Sequence, residues 1–256
     1  MTEIEPGHYA RKQLSSRSRL VSWSHGSRFE TARQLVQGRA GSRLLDYGCG
    51  DGTFLALVAD LFPAAVGVDV SPAQIADCAR RFGSHRAIRF AMADALDEPD
   101  HRGRYDVIVC MEVLEHCPDD VRTGVLDRLQ GAAAPGALVV FSVPIEVGPA
   151  LLAKQAVRAL AARRGLVEYA TRERYRPGEL LRMLCAGVDS SLVREEIVED
   201  LGAGRRLRFT GHKGFNWRRL VPELAAHFSI ERRLCSPLPV MGPVLNSQVW
   251  FLCRAR

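Results

Sequence analysis

The stretch Leu44-Leu45-Asp46-Tyr47-Gly48-Cys49-Gly50-Asp51-Gly52-Thr53-Phe54-Leu55 decides the fold of this 256-residue chain. An apolar run ends in an acid, three glycines follow at alternate positions, and an apolar helical pattern resumes at once. The segment therefore reads as strand, tight turn and helix. Glycines at 48, 50 and 52 leave no Cβ where a ligand lies against the backbone, and they reach φ values closed to other residues. The spacing departs from G-x-G-x-x-G, whose turn seats a pyrophosphate on a helix N-terminus. Asp46, two residues before the first glycine, would repel a phosphate at that turn. A cationic ligand suits it better.

Two further strand ends repeat the pattern. Val66-Gly67-Val68-Asp69-Val70-Ser71-Pro72 reads as a buried strand closed by an acid, with Ser71 as N-cap and Pro72 at the first helical position. Asp69 follows Asp46 by 23 residues, about the spacing at which a carboxylate meets a ribose diol in doubly wound nucleotide folds. Phe90-Ala91-Met92-Ala93-Asp94-Ala95 is the third. A lone acid at a strand end is most often just solvated, but three in order, each closing a βα unit, form a consistent set.

The glycine turn resembles motif I of the class I S-adenosylmethionine-dependent methyltransferases, whose cofactor carries an ammonium and a sulfonium. The resemblance implies that Asp94 faces the adenine amino group. It assigns Asp46, Gly48, Gly50, Asp69, Val70, Asp94, Ala95 and Met111 to the cofactor. It also implies a Rossmann-like α/β fold: a seven-stranded, mostly parallel sheet whose last strand is reversed.

The coarse order agrees. A helical leader over about 8–40 precedes strands at 43–47, 65–69, 87–92, 105–110 and 136–143, interleaved with helices at 53–61, 72–82 and 119–132. Alternating strands and helices dictate a parallel sheet covered on both faces. After Pro144 the rhythm breaks, and 148–200 reads as two or three helices with a turn at Pro177-Gly178. The end returns to β at 228–234 and 248–252. One domain accounts for 1–256: a leader (1–40), a cofactor core (41–145), a substrate-covering insertion (146–220) and C-terminal strands (221–256).

Composition bounds the setting. Hydrophobic residues make up 47% of the chain, enough for a sizeable core. Seven cysteines, odd in number and without a C-x-x-C pair, argue against a disulfide framework and a structural zinc cluster. With no signal-peptide core and no apolar run near 18 residues, a cytoplasmic protein is expected, at most membrane-associated. The formal charge of +6 fits nucleic acid or an anionic membrane surface, but solvated helix faces account for it equally well. Leu151, Leu152, Ala156, Val157, Leu160 and Ala161 recur at helical spacing, with Lys154, Arg158, Arg163 and Arg164 off the stripe. Such a basic amphipathic helix over 149–165 packs on its own domain or makes a peripheral membrane contact.

A second segment carries the chemistry: Tyr105-Asp106-Val107-Ile108-Val109-Cys110-Met111-Glu112-Val113-Leu114-Glu115-His116-Cys117-Pro118-Asp119. A buried strand delivers Glu112, Glu115 and His116 to the sheet's carboxyl edge, where ligands bind in open α/β folds. A helical turn starting near Glu112 would turn all three toward one point. Two carboxylates and an imidazole suit Mg²⁺, Mn²⁺ or Zn²⁺, given a further ligand. His212, in Thr210-Gly211-His212-Lys213-Gly214-Phe215-Asn216-Trp217, is the best candidate.

The Glu-Val-Leu-Glu-His run with a distant His resembles two methyltransferase families. One is the ubiquinone-pathway O-methyltransferases. The other is the small-RNA 3′-terminal 2′-O-methyltransferases, in which Glu, Glu, His and a remote His hold a divalent metal. A metal site on Glu112, Glu115, His116 and His212 and a metal-free site with His116 as general base both remain open. Methyl transfer from a sulfonium mainly requires alignment and desolvation, which leaves the acceptor's proton as the chemical problem. A phenol near pKa 10 needs modest help from a base, whereas an alcohol, like water near 15.7, gains more from a metal.

The expectation is an O-methyltransferase with His116 and Glu115 as catalytic residues. Its acceptor is the hydroxyl of a small molecule or of a glycan- or lipid-linked compound. The alternatives are an RNA 2′-O-methyltransferase, disfavoured because no RNA-binding module accompanies the domain, and a non-catalytic adenosylmethionine-binding protein. The segment Trp23-Ser24-His25-Gly26-Ser27-Arg28-Phe29 is expected to fold over the site.

Overall fold

The structure, a computed structural model, describes residues 7, 19–83, 85–163, 174–202 and 204–256. A helix α1 (Arg19–Val36) leads into five strands interleaved with three helices: β1 (Arg43–Tyr47), α2 (Thr53–Val58), β2 (Ala64–Asp69), α3 (Pro72–Arg81), β3 (Ile88–Met92), β4 (Tyr105–Met111), α4 (Asp119–Ala132) and β5 (Ala133–Pro144). Helices α5 (Pro149–Arg163) and α6 (Pro177–Leu184) follow, then β6 (Glu196–Asp200), β7 (Arg206–Thr210), α7 (Leu220–His227), β8 (Phe228–Ser236) and β9 (Gln248–Ala255).

Seven strands form one sheet in the order β3-β2-β1-β4-β5-β9-β8. Strands β1 to β5 pair in parallel, and β9 runs antiparallel to both β5 and β8. The last strand is thus reversed, as expected. The apolar runs of the central strands follow from burial on both faces. Along β4, Val107 and Val109 enter the core beneath α1 and α2, while Ile108 and Cys110 enter the one beneath α4 and α7. The period of two splits β5 likewise, with Leu138 and Val140 on one side and Val139 and Phe141 on the other.

Ser71 caps α3 by accepting from the Gln74 amide, with Pro72 at the first helical position. α2 is shorter than its apolar pattern, ending at Val58, and β5 begins at Ala133 rather than near 136. The leader's residues 8–18 lie outside the described residues, as do the side chains of Trp23, Ser24 and His25.

Two readings of the insertion are corrected. The stretch before residue 200 is not wholly helical: β6 and β7 make a separate antiparallel hairpin, Glu196 opposite Thr210. Its segments, Glu-Ile-Val-Glu-Asp and Arg-Leu-Arg-Phe-Thr, bury little apolar surface, so the strand period is faint in sequence. Cross-strand and tertiary ion pairs support it instead: Arg208 Nε lies 2.9 Å from Glu196 and Arg208 Nη1 2.7 Å from Asp120. In α5, Ala150 and Leu151 are buried, but Leu152 and Ala156 are exposed. Lys154 turns inward to Glu146 at 2.9 Å. Val157, Leu160 and Ala161, the rest of the expected stripe, fall outside the residues whose side chains are described. Among the described residues no helix is long and apolar enough to cross a membrane.

Candidate active site

The glycine turn after β1 is held by its neighbours. The amides of Gly48 and Cys49 both donate to the Val68 carbonyl, at 2.8 and 3.0 Å. Gly48 has φ +76°, and a Cβ there would fall 2.3 Å from Val113 Cγ2. Gly50, at φ +52°, faces open space. Asp69 Oδ2 accepts the Gly50 amide and Oδ1 the Ser71 amide, both at 2.9 Å, so one carboxylate ties the end of β2 to the turn.

Beside the turn lies a cavity of about 200 Å³. Its wall includes Asp46, Gly48, Gly50, Met111 and Glu112. Arg28 and Phe29 of α1 close it, in the segment expected to fold over the site. Asp46 is 2% exposed, and its Oδ2 has no hydrogen-bond partner among the described residues. Burial, reinforced by the charge of Asp69, pushes its carboxyl up to about 8. An orphaned buried acid facing a ligand-sized space fits a cationic ligand.

Arg28 lies in the 23–29 segment expected to fold over the site, with no individual role legible in the sequence. Only 9% exposed, with Nη1 3.4 Å from Glu112 Oε2, its guanidinium can hold a carboxylate at the cavity's edge. The other assigned residues stand away from this wall. Val70 is exposed, Ala95 is half-buried, and Asp94 is exposed in an ion pair with Arg205 at 2.6 Å. That pair pins the β6–β7 hairpin to the end of β3.

The second centre adjoins the first. β4 ends at Met111, and Glu112 takes φ +56°, a left-handed conformation that non-glycine residues rarely adopt. This kink leaves Glu112 on the cavity side, with its amide donating to the Ser142 carbonyl at 2.9 Å. The helical turn starts two residues later than expected, at Leu114–His116. It sends Glu115 inward to complete burial. Glu115, His116 and His212 come together, with one ligand atom from each within 4.8 Å of the others. Glu112 is not in that group. The expected quartet is divided, because the spacing argument needed Glu112 inside the turn.

The imidazoles are oriented. His116 Nδ1 lies 2.9 Å from the Thr210 carbonyl, so it carries the proton and Nε2 keeps its lone pair in the neutral ring. His212 Nε2 lies 3.1 Å from His116 Nε2. Burial and the neighbouring His116 lower His212 to about 4, which keeps it neutral at physiological pH. Burial, then the charge of Glu112, raises the Glu115 carboxyl well above its usual range. Neither Glu115 oxygen has a hydrogen-bond partner among the described residues, and Oε1 lies 3.9 Å from His116 Nε2.

These donors fit a divalent cation. Two nitrogens 3.1 Å apart, each about 2.05 Å from a common ion, subtend roughly 100°, between the octahedral and tetrahedral angles. A buried carboxylate without donors supplies the charge. The strap that carries His212 is fixed from below: Arg194 donates to the Glu115 and Gly211 carbonyls, and Thr210 Oγ1 donates to the Glu115 carbonyl at 3.2 Å.

Comparison with known proteins bears on the family and the fold. Residues 26–184 match the family described as "Methyltransferase domain". The ubiquinone biosynthesis O-methyltransferase of Shewanella halifaxensis is 31% identical over 112 residues, covering 43% of this chain and 46% of that one. The 2-heptyl-1-hydroxyquinolin-4(1H)-one methyltransferase of Mycobacteroides abscessus is 29% identical over 138 residues, covering 52% and 59%. The chain thus spans about half the length of the curated relatives it matches. The N-methyltransferase NodS of Bradyrhizobium japonicum, solved with S-adenosyl-L-homocysteine, superposes with a TM-score of 0.54 at 15% identity over 95% of this chain and 91% of that one. That likeness establishes the fold. With the matched family covering more than half of its length and the seven-stranded sheet in place, the chain belongs to the class I S-adenosylmethionine-dependent methyltransferases.

Proposed function

We propose that this protein transfers the methyl group of S-adenosylmethionine to a hydroxyl of a small molecule or of a lipid- or glycan-linked acceptor. The observation that carries the reading is the Glu115, His116 and His212 cluster next to the cavity lined by Asp46 and the glycine turn. In this reading Asp46 faces the cationic end of the cofactor, Arg28 takes its carboxylate and Asp69 its ribose. Val70, Asp94 and Ala95 contribute at the adenosine end, which for Asp94 requires the ion pair with Arg205 to open. The acceptor oxygen attacks the sulfonium methyl in line, the carbon–sulfur bond breaks, and adenosylhomocysteine leaves with the electron pair. The acceptor's proton passes to His116 Nε2, whose ring is held in the productive tautomer by the Thr210 carbonyl.

In a metal-assisted form of the same reading, Glu115, His116 and His212 would hold Mg²⁺, Mn²⁺ or Zn²⁺; His116 Nε2 would then be a ligand rather than the base, and Glu112 is the nearby carboxylate left to take the acceptor's proton. Such an ion supplies Lewis acidity to a reluctant hydroxyl. The O-methyltransferase relatives support oxygen as the acceptor atom.

The test uses labelled donor with catechols, sugars and short RNA. Transfer to a small-molecule hydroxyl should fall at least about a hundredfold with a strong chelator or with His212→Ala, and return on adding a divalent ion to the wild type. Activity indifferent to both would remove the metal, and transfer to RNA alone would replace the acceptor class.

A further inference from the structure

Arg194 stands where the two halves of the candidate centre meet. Its Nη2 donates to two carbonyls, that of Glu115 and, at 2.7 Å, that of Gly211. Glu115 immediately precedes His116 in the turn after β4, and Gly211 immediately precedes His212 in the strap after β7. One nitrogen thus joins two segments that bring together imidazoles 96 residues apart. The guanidinium is itself held. Its Cζ lies 5.3 Å from the centroid of the Phe215 ring. The stretch that carries it is pressed on the strap, since a Cβ at Gly214 would fall 2.9 Å from Leu192 Cβ and 3.5 Å from Arg194 Cγ. Asn216 Nδ2 ties the same stretch down by donating to the Gly187 and Ser190 carbonyls at 2.7 and 2.8 Å.

Stability alone is a poor reason for this arrangement. Arg194 is half-buried, its Nε is shut off from water with no hydrogen-bond partner among the described residues, and its hydrogen bonds go to carbonyls rather than to a carboxylate. A desolvated cation in that state costs free energy. What it supplies is a spacing. Two carbonyl oxygens that face one nitrogen repel each other once it is gone, and the strap would draw away from the turn. The bonds of Thr210 orient His116 and hold the Glu115 carbonyl. Among the described residues only Arg194 grips the carbonyl next to His212, whose Nε2 stands 3.1 Å from that of His116.

We propose that Arg194 is a positioning residue, which sets His212 against His116 by bridging the Glu115 and Gly211 carbonyls. The proposal rests on the reading of Glu115, His116 and His212 as the reacting centre. It is tested with Arg194→Met, which keeps the stem and removes the guanidinium, and with Arg194→Lys, which restores the charge on a shorter stem. In calorimetric titration with Mn²⁺, Arg194→Met should bind about ten- to a hundredfold more weakly than the wild type, the usual effect of removing a group that orients a ligand. Adenosylhomocysteine affinity should stay within about twofold. The kcat of methyl transfer should also fall by about ten- to a hundredfold, with KM for the cofactor unchanged. That fall should vanish in a His212→Ala background, because both residues act on one geometry. Arg194→Lys should recover part of each loss, and it stands in for Arg194→Met if that chain does not fold. Wild-type kcat, wild-type Mn²⁺ affinity where the wild type binds the ion, or a fall additive with His212→Ala overturns the proposal. So does an equal loss of adenosylhomocysteine affinity, which would make Arg194 a support for the fold at large. A wild type that binds no Mn²⁺ removes the metal alone, and the kcat comparison then decides. A wild type that transfers methyl to no acceptor removes the reading itself, and this proposal falls with it.

Discussion

Asp69→Ala is expected to lower affinity for S-adenosylhomocysteine by about a hundredfold to ten-thousandfold. One carboxylate accepts two backbone amides, from Gly50 and Ser71, and thereby fixes both the glycine turn and the start of α3. Each charge-assisted bond of this kind contributes roughly 1.5–3 kcal/mol, and losing both spans that range of binding constants. The remaining lone pairs are the ones a ribose diol would use, so the ligand's contact goes with the turn's support. Asp69→Asn should rescue little, because one of the two amides would then face an NH₂ group. Calorimetry with thermal melting separates binding from folding. An Asp69→Ala protein within about threefold of wild-type affinity would mean that the turn is held by other means.

His116→Ala is expected to reduce kcat by about a hundredfold to ten-thousandfold, the usual contribution of a positioned general base. Adenosylhomocysteine affinity should stay within about twofold, because His116 does not line the cofactor cavity. Single-turnover measurements would register the fall in the chemical step. An equal fall in cofactor affinity would instead make His116 a support for the fold of the strap through its bond to Thr210.

The cofactor half of the molecule was legible because its signals are local. Asp46, the glycine turn and Asp69 announce themselves by residue type and spacing, and the structure brings the turn and both acids together. Asp94 belongs to the same pattern, but Arg205, 111 residues away, holds it in an ion pair. No local rule anticipates such a partner. Glu112 shows the limit more sharply, since its positive φ cannot be read from a Glu-Val-Leu-Glu-His string that looks like the start of a helix. The β6–β7 hairpin was hidden because charge pairs, rather than an apolar face, support it. The segment that carries Arg28 was expected over the site, but nothing in its residue pattern says that the guanidinium meets Glu112. His212, by contrast, was found 96 residues from His116, because an imidazole before an aromatic cluster stands out where few histidines occur.

The account rests on a buried acid waiting for a cation, and its sign can be worked out. Burial and the charge of Asp69 push Asp46 up to about 8, so at pH 7 it is mostly protonated until a cation faces it. A bound ammonium or sulfonium favours the carboxylate, so binding below that pH must expel a proton and strengthen as pH rises. The gain should approach tenfold per unit between about 6 and 8 and then stop, as Asp46 becomes ionised and the ligand's own amino group, near 8, begins to lose its charge. Isothermal titration with S-adenosylmethionine in buffers of different ionisation enthalpy measures this directly. The predicted result is saturable one-to-one binding with proton release below pH 8 that disappears in Asp46→Asn. No saturable binding, or binding without proton exchange across that range, would contradict the account.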